Sequence, residues 1–173
     1  MNLSEARKLI RDVPDFPSKG IIFKDITPLL ANPSAFKWVI SELGKEVKNL
    51  GATKLVGIES RGFIFASALA EHLSIGLVLA RKKGKLPWKT VTQSYKLEYG
   101  TDQIEMHEDS FSKSDRVVVV DDVLATGGTA AGAIQLCEKL GAQVAGLLVL
   151  IELEFLKGRS ALDKVAVSSL IKI

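Results

Sequence analysis

Residues 117–130 read VVVVDDVLATGGTA. A continuous β-branched run, with no polar alternation, suits a strand covered on both faces. That strand is read over 116–120. Two adjacent acids, Asp121 and Asp122, follow it, and then a run of small residues: Ala125, Thr126, Gly127, Gly128 and Thr129. A turn would explain the glycine pair, and a solvated loop would explain the acids. A buried strand that delivers both in this order points to a ligand. Glycines let the backbone approach a bound group closely. The threonines add hydroxyl donors, and the helix expected over 129–140 opens with unpaired N–H groups at the positive end of its dipole. Together these make a phosphate cradle. The turn lacks the lysine of a Walker A loop and the spacing of a dinucleotide fingerprint. The two carboxylates would repel a phosphate placed on them and suit hydroxyls or a cation beside it. A ribose 5-phosphate has that layout.

The rest of the chain places this strand in a sheet. Short apolar runs are read as strands at 55–58 (LVGI), 76–80 (GLVLA) and 144–152 (VAGLLVLIE), with an edge strand over 164–173. Helices are expected over 33–50, opened by Asn32-Pro33 and closed by Gly51, and over 62–73. Strands joined by helical crossovers imply an α/β fold with a mainly parallel sheet flanked by helices. Ligands in such sheets bind beyond the carboxyl ends of the strands. Those ends carry Glu59-Ser60-Arg61, Arg81-Lys82-Lys83-Gly84-Lys85, the Asp121-Asp122 pair and Leu153. Residues 90–107 read as a hairpin turning near Gly100. Before residue 33, Ser4 is read as the cap of a short helix, and the prolines of 14–33 as an irregular arm.

At 173 residues the chain is expected to form one domain, 1–173, with a sizeable core. A net charge of +3 suits a local basic site for a phosphorylated small molecule, and no basic stripe with interleaved aromatics suggests nucleic acid. One cysteine, Cys137, rules out a disulfide within the chain and fits a reducing cytoplasm. No stretch approaches the ~20 apolar residues of a membrane span.

The segment VVVVDDVLATGGT resembles the phosphoribosyl pyrophosphate motif of the type I phosphoribosyltransferases. PDFPSKGIIFKDITPLL (14–30), GIESRGFIFA (57–66), RKKGKLP (81–87), SYKLEYG (94–100) and IELEFLKGR (151–159) narrow the resemblance to the adenine-using members of that family and cover nearly the whole chain. The resemblance implies the type I phosphoribosyltransferase fold, with a base-binding arm at 1–33 and a flexible hairpin hood at about 82–107. It implies transfer of a phosphoribosyl group to adenine, giving AMP and pyrophosphate. Mg²⁺ would arrive mainly bound to phosphoribosyl pyrophosphate, with no dedicated protein ligand, and the molecule would be a cytoplasmic homodimer.

Roles follow by position. Asp121 and Asp122 would hold the ribose hydroxyls and meet the charge that develops on the sugar. Ala125, Thr126, Gly127, Gly128 and Thr129 would bind the 5-phosphate. Glu59, Ser60 and Arg61 would form the pyrophosphate loop, which in this fold commonly holds a non-proline cis peptide. Arg81 and Lys85 would face pyrophosphate. Glu98 would be the general acid/base at the base, with Tyr99 beside it. Phe23 and Leu153 would sandwich the base, while Ile22 and Lys24 read its edge. Lys24 stands where the family often has Arg, keeping the charge but not the planar fork. Glu59 stands where some members have Asp. Two other readings are weighed. A regulator that senses phosphoribosyl pyrophosphate would carry an added DNA-binding domain, and none is expected because the chain begins close to the arm. A 6-oxopurine enzyme would lack both the arm and the LEYG hairpin.

Overall fold

The computed structural model describes residues 1–96, 100–162 and 164–173. The chain divides into two compact units, Met1–Glu42 and Leu43–Ile173. In the first, α1 (Leu3–Lys8) is capped by Asn2 rather than Ser4. The Asn2 side chain accepts from the Glu5 N–H (3.0 Å), and Glu5 accepts from the Asn2 N–H (2.9 Å), so two otherwise unpaired donors are satisfied at once. The arm is more regular than its prolines suggest. Strands β1 (Arg11–Pro14) and β2 (Ile22–Asp25) pair antiparallel around a connection holding a cis Phe16–Pro17 bond. The prolines fall at the end of β1 and in the connection, where no ladder N–H is required. A short helix, α2 (Thr27–Ala31), follows. Then α3 (Pro33–Asn49) runs from the first unit into the second, with Asn32 accepting from the Ala35 N–H at 3.0 Å as its cap.

The second unit is built on a seven-stranded sheet. In chain order its strands are β3 (Lys54–Ile58), β4 (Gly76–Lys82), β5 (Thr90–Lys96), β6 (Thr101–His107), β7 (Arg116–Leu124), β8 (Gln143–Glu152) and β9 (Val167–Lys172). The spatial order is β5-β6-β4-β3-β7-β8-β9. The five strands from β4 to β9 run parallel, and the β5–β6 hairpin adds antiparallel to β4 through Arg81↔Glu105 and Lys82↔Ile104. Crossovers α4 (Gly62–Leu73) and α5 (Gly128–Lys139) join β3 to β4 and β7 to β8.

Strand β7 is the middle of the parallel block. Val117, Val118, Val119 and Val120 are all 0% exposed, which explains the missing polar alternation. Val117 and Val119 pack in the cluster that includes Ile134 and Cys137 of α5, and strand alternation turns Val118 and Val120 to the other face. Each buried valine contributes about 1.5–3 kcal/mol of transfer free energy. The strand does not stop at Val120. It continues to Leu124, with Asp121 opposite Val149 and Val123 opposite Ile151. The acid pair is therefore strand, not turn, and β8 holds its backbone.

The end of β8 is fastened by Glu152, which is 4% exposed. Arg159 grips it through Nε and Nη2, and the Ser169 hydroxyl of β9 donates to Oε2. Arg159, and then Ser169, hold the Glu152 carboxyl down at about 2 against the opposing effect of burial. A carboxyl depressed in this way stabilises the fold fully above its usual value near 4.5, and that contribution drains as pH falls from there toward 2. Arg159→Met is expected to cost about 2 kcal/mol at pH 7. It should also flatten the loss of stability on acidification through that window, as read from urea midpoints at stepped pH.

Candidate active site

The carboxyl ends of β3, β4 and β7 open onto a cavity of about 400 Å³. Its wall includes Glu59, Ser60, Arg61, Lys82, Tyr95, Asp121, Asp122 and Thr129. Residues far apart in the chain meet here because parallel strands deliver their ends to one rim. The β3–α4 connection supplies Glu59-Ser60-Arg61, with a cis Glu59–Ser60 peptide. Gly62 then brings the first turn of α4 against β7, where a Cβ would collide with the Val120 carbonyl and the Asp121 carboxylate. That approach places Arg61 Nε 2.9 Å from Asp122 Oδ2.

The two aspartates differ in surroundings. Asp122 is 4% exposed, and Oδ2 has the Arg61 charge beside it but no aligned hydrogen bond. Asp121 is partly exposed, and its Oδ1 accepts the Asp122 N–H at 2.9 Å. Burial, then the neighbouring Asp122 charge, push the Asp121 carboxyl well above the usual range. Burial also raises Asp122, where Arg61 works against it. Two close carboxylates with one guanidinium leave excess negative potential, which favours hydroxyl donors or a developing positive charge.

Beside the acids a recess of about 80 Å³ is lined by Ala125 to Ala130. Gly127 takes φ +85° as the residue before α5, a conformation few other residues adopt. It also passes so close to the Gly158 carbonyl that a Cβ would fall on it, and a Cβ at Gly158 would fall on the Ala125 carbonyl. The cradle therefore rests on a second glycine that the sequence reading left unassigned.

The basic residues of 81–85 divide. Lys82 reaches the cavity and pairs with Asp102 Oδ2 at 3.1 Å, an oxygen that also accepts from the Tyr95 hydroxyl at 3.2 Å. Arg81 and Lys85 close instead on Glu59, which also accepts the Lys82 N–H at 3.0 Å. Burial works to raise the Glu59 carboxyl, but Lys85, the Lys82 N–H and Arg81 outweigh it and hold it low. Sequence reading missed Tyr95, Asp102 and Glu105 as parts of this region. In β6, Ile104 and Met106 face the core, so alternation assigns Glu105 to solvent, yet it is 3% exposed. Leu153 follows β8 and donates its N–H to the Leu124 carbonyl at 2.9 Å. In the first unit, Phe23 meets Phe16 edge-on at 5.2 Å, Ile22 is exposed, and Lys24 pairs across the ladder with Asp12 at 2.7 Å. Glu98 and Tyr99 lie outside the described residues.

The acid pair at a parallel strand end and the glycine-lined recess beside it both lie within residues 26–172, which the phosphoribosyl transferase domain family matches. The chain belongs to that family, and within it to the adenine phosphoribosyltransferases. It is 50% identical over 169 residues to the adenine phosphoribosyltransferase of Solidesulfovibrio magneticus, covering 98% of this chain and 99% of the relative. The crystal structure of adenine phosphoribosyltransferase from Thermoanaerobacter pseudethanolicus superposes with a TM-score of 0.97 at 46% identity, covering 99% of this chain and 100% of that one. The Saccharomyces cerevisiae enzyme, solved with adenine and an imino-altritol bisphosphate, gives a TM-score of 0.91 at 38% identity and 97% coverage of each chain.

Gly127→Ala tests the recess. A side chain there meets both a disfavoured φ and the Gly158 carbonyl. The expected outcome is a lower unfolding midpoint and loss of ribose 5-phosphate binding by calorimetry, with Gly141→Ala, at φ +88° in open space, costing about 1 kcal/mol of stability and leaving binding intact.

Proposed function

We propose that this chain transfers the 5-phosphoribosyl group of phosphoribosyl pyrophosphate to adenine, giving AMP and pyrophosphate, as a step of purine salvage. The observation that carries this reading is a negatively biased acid pair set beside a glycine-lined recess at the end of one strand. The likeness to adenine phosphoribosyltransferases over nearly the whole chain supports the choice of base. A bond from an adenine ring nitrogen to the anomeric carbon forms as the bond from that carbon to pyrophosphate oxygen breaks, and the ring nitrogen gives up its proton. Asp121 and Asp122 hold the ribose hydroxyls and favour the cationic sugar that develops between those events. Ala125 to Thr129 hold the 5-phosphate on backbone N–H groups and hydroxyls. Glu59, Ser60 and Arg61 line the pyrophosphate side. Arg81 and Lys85 compensate the departing charge on exchanging Glu59 for it, and Lys82 joins them from the cavity wall.

Glu98 handles the base proton, with Tyr99 beside it, and Ile22, Phe23, Lys24 and Leu153 remain assigned to adenine by resemblance. The hairpin over about 82–107 acts as a hood that excludes water during transfer. With these parts the whole chain, 1–173, serves as one catalytic domain.

Mg²⁺ fits this donor set, because carboxylate and phosphate oxygens are the hard ligands it prefers and Asp121 places a partly exposed carboxylate in the cavity wall. Phosphate oxygens and water would be its main ligands, with Asp121 and Asp122 facing it, and it would neutralise pyrophosphate as a leaving group. Homodimerisation is part of the reading. Ile64, Leu77 and Leu79 are each more than a third exposed and offer an apolar surface for a second copy. A cytoplasmic location suits phosphoribosyl pyrophosphate and AMP, which are too highly charged to cross a membrane unaided. Among the described residues no helix is long and apolar enough to span one.

Purified protein with phosphoribosyl pyrophosphate, Mg²⁺ and each purine base in turn should form AMP from adenine alone. Asp122→Asn is expected to lower kcat by about 10²–10³, and Glu98→Gln by about 10²–10⁴. Nucleotide from no base, despite calorimetric binding of phosphoribosyl pyrophosphate, would replace the enzyme with a ligand-sensing regulator.

A further inference from the structure

The basic loop after β4 is held from an unexpected direction. Gly84 takes φ +84°, and the N–H groups that follow converge on one point, the concave arrangement that binds anions. The anion there is the protein's own Glu105. Its Oε1 accepts from the N–H groups of Lys85 and Leu86, each at 2.9 Å, and its Oε2 accepts from the Thr90 hydroxyl at 3.2 Å. Two residues on, along the same face of β6, the His107 ring lies 2.6 Å from the Pro87 carbonyl. The Glu105 carboxylate is 3% exposed and sits away from the cavity wall formed by Lys82 and Asp122. The bonded loop in turn supplies the Lys85 carbonyl, which accepts from Arg81 Nη1 at 2.8 Å, and the Lys85 ammonium that reaches Glu59.

We propose that Glu105 is a positioning residue for pyrophosphate: by filling the concave backbone of 84–86 it fixes the reach of Lys85 and, through the Lys85 carbonyl, the aim of the Arg81 guanidinium. This rests on the reading of Arg81 and Lys85 as the pyrophosphate cations. The decisive property is length rather than charge. Two N–H groups share one oxygen, so a glutamine keeps the same acceptor at the same distance and can turn its amide donor to the Thr90 oxygen. An aspartate keeps the charge but falls short by one methylene and leaves the Lys85 and Leu86 N–H groups without their shared acceptor.

The test compares Glu105→Gln and Glu105→Asp with the native chain by calorimetric binding of Mg²⁺-pyrophosphate, by the KM values for phosphoribosyl pyrophosphate and adenine, and by unfolding midpoints. Asp115→Asn serves as a control. That carboxylate is also buried and accepts a backbone N–H, but it lies at the opposite ends of the strands. The expected result is roughly tenfold or greater weakening of pyrophosphate in Glu105→Asp, with a matching rise in KM for phosphoribosyl pyrophosphate and an unchanged KM for adenine. Glu105→Gln should stay within about threefold of the native chain, and Asp115→Asn should lower the midpoint without touching pyrophosphate. Native-like pyrophosphate binding in Glu105→Asp, or equal loss in both Glu105 variants, overturns the proposal. A native chain that binds pyrophosphate but makes no AMP would instead sink the proposed reaction, and the binding comparison would still decide the role of Glu105.

Discussion

Everything at the ligand rim depends on one costly arrangement: two adjacent carboxylates carried into a largely dry strand end. Desolvating a carboxylate is expensive unless a charge or a set of hydrogen bonds compensates. Here compensation is partial. Asp122 has Arg61 at 2.9 Å, while Asp121 accepts a backbone N–H, feels the same Arg61 charge and keeps some solvent. The apolar block beneath them, four valines with no measurable exposure, supplies the rigidity that keeps the pair from relaxing into water. The unbalanced potential that results is a liability for folding. In the proposed reaction it becomes an asset when a hydroxylated, transiently cationic group enters.

Arg81, Lys82 and Lys85 are each paired with a carboxylate of the protein itself. Glu59 gathers Arg81 and Lys85, and Asp102 holds Lys82. Such pairs are partly exposed, so each is weak and exchangeable, and a polyanion with several negative oxygens can displace single carboxylates. Pairing keeps flexible side chains near their working positions and lowers the ordering cost of binding.

Much of this was legible in the sequence because it rests on periodicity and turn chemistry. The buried strands, the crossover helices and the glycine recess all announce themselves through local pattern, and the family motif supplies the roles proposed for the residues at the rim. The acid pair was read as lying beyond the strand, because two aspartates are poor strand formers in isolation; β8 overrides that preference by pairing with Asp121 and Val123. The arm hairpin was hidden by prolines that fall where the ladder has no need of an N–H. Glu105 was hidden for a deeper reason. Its burial comes from residues 84–87 folding over it, and no local pattern encodes a cover supplied from elsewhere in the chain.

Gly127 and Gly158 meet backbone to backbone, so the turn that forms the glycine-lined recess and the turn that follows β8 share one surface with no side chain between them. A contact made of side chains can drift, since a loss on one side can be offset by a gain on the other. Here neither partner has an atom to give up. Chimaeras that exchange either turn alone between related enzymes should therefore fail more often than those that exchange both, and the two segments, though some thirty residues apart in the chain, behave as a single heritable part.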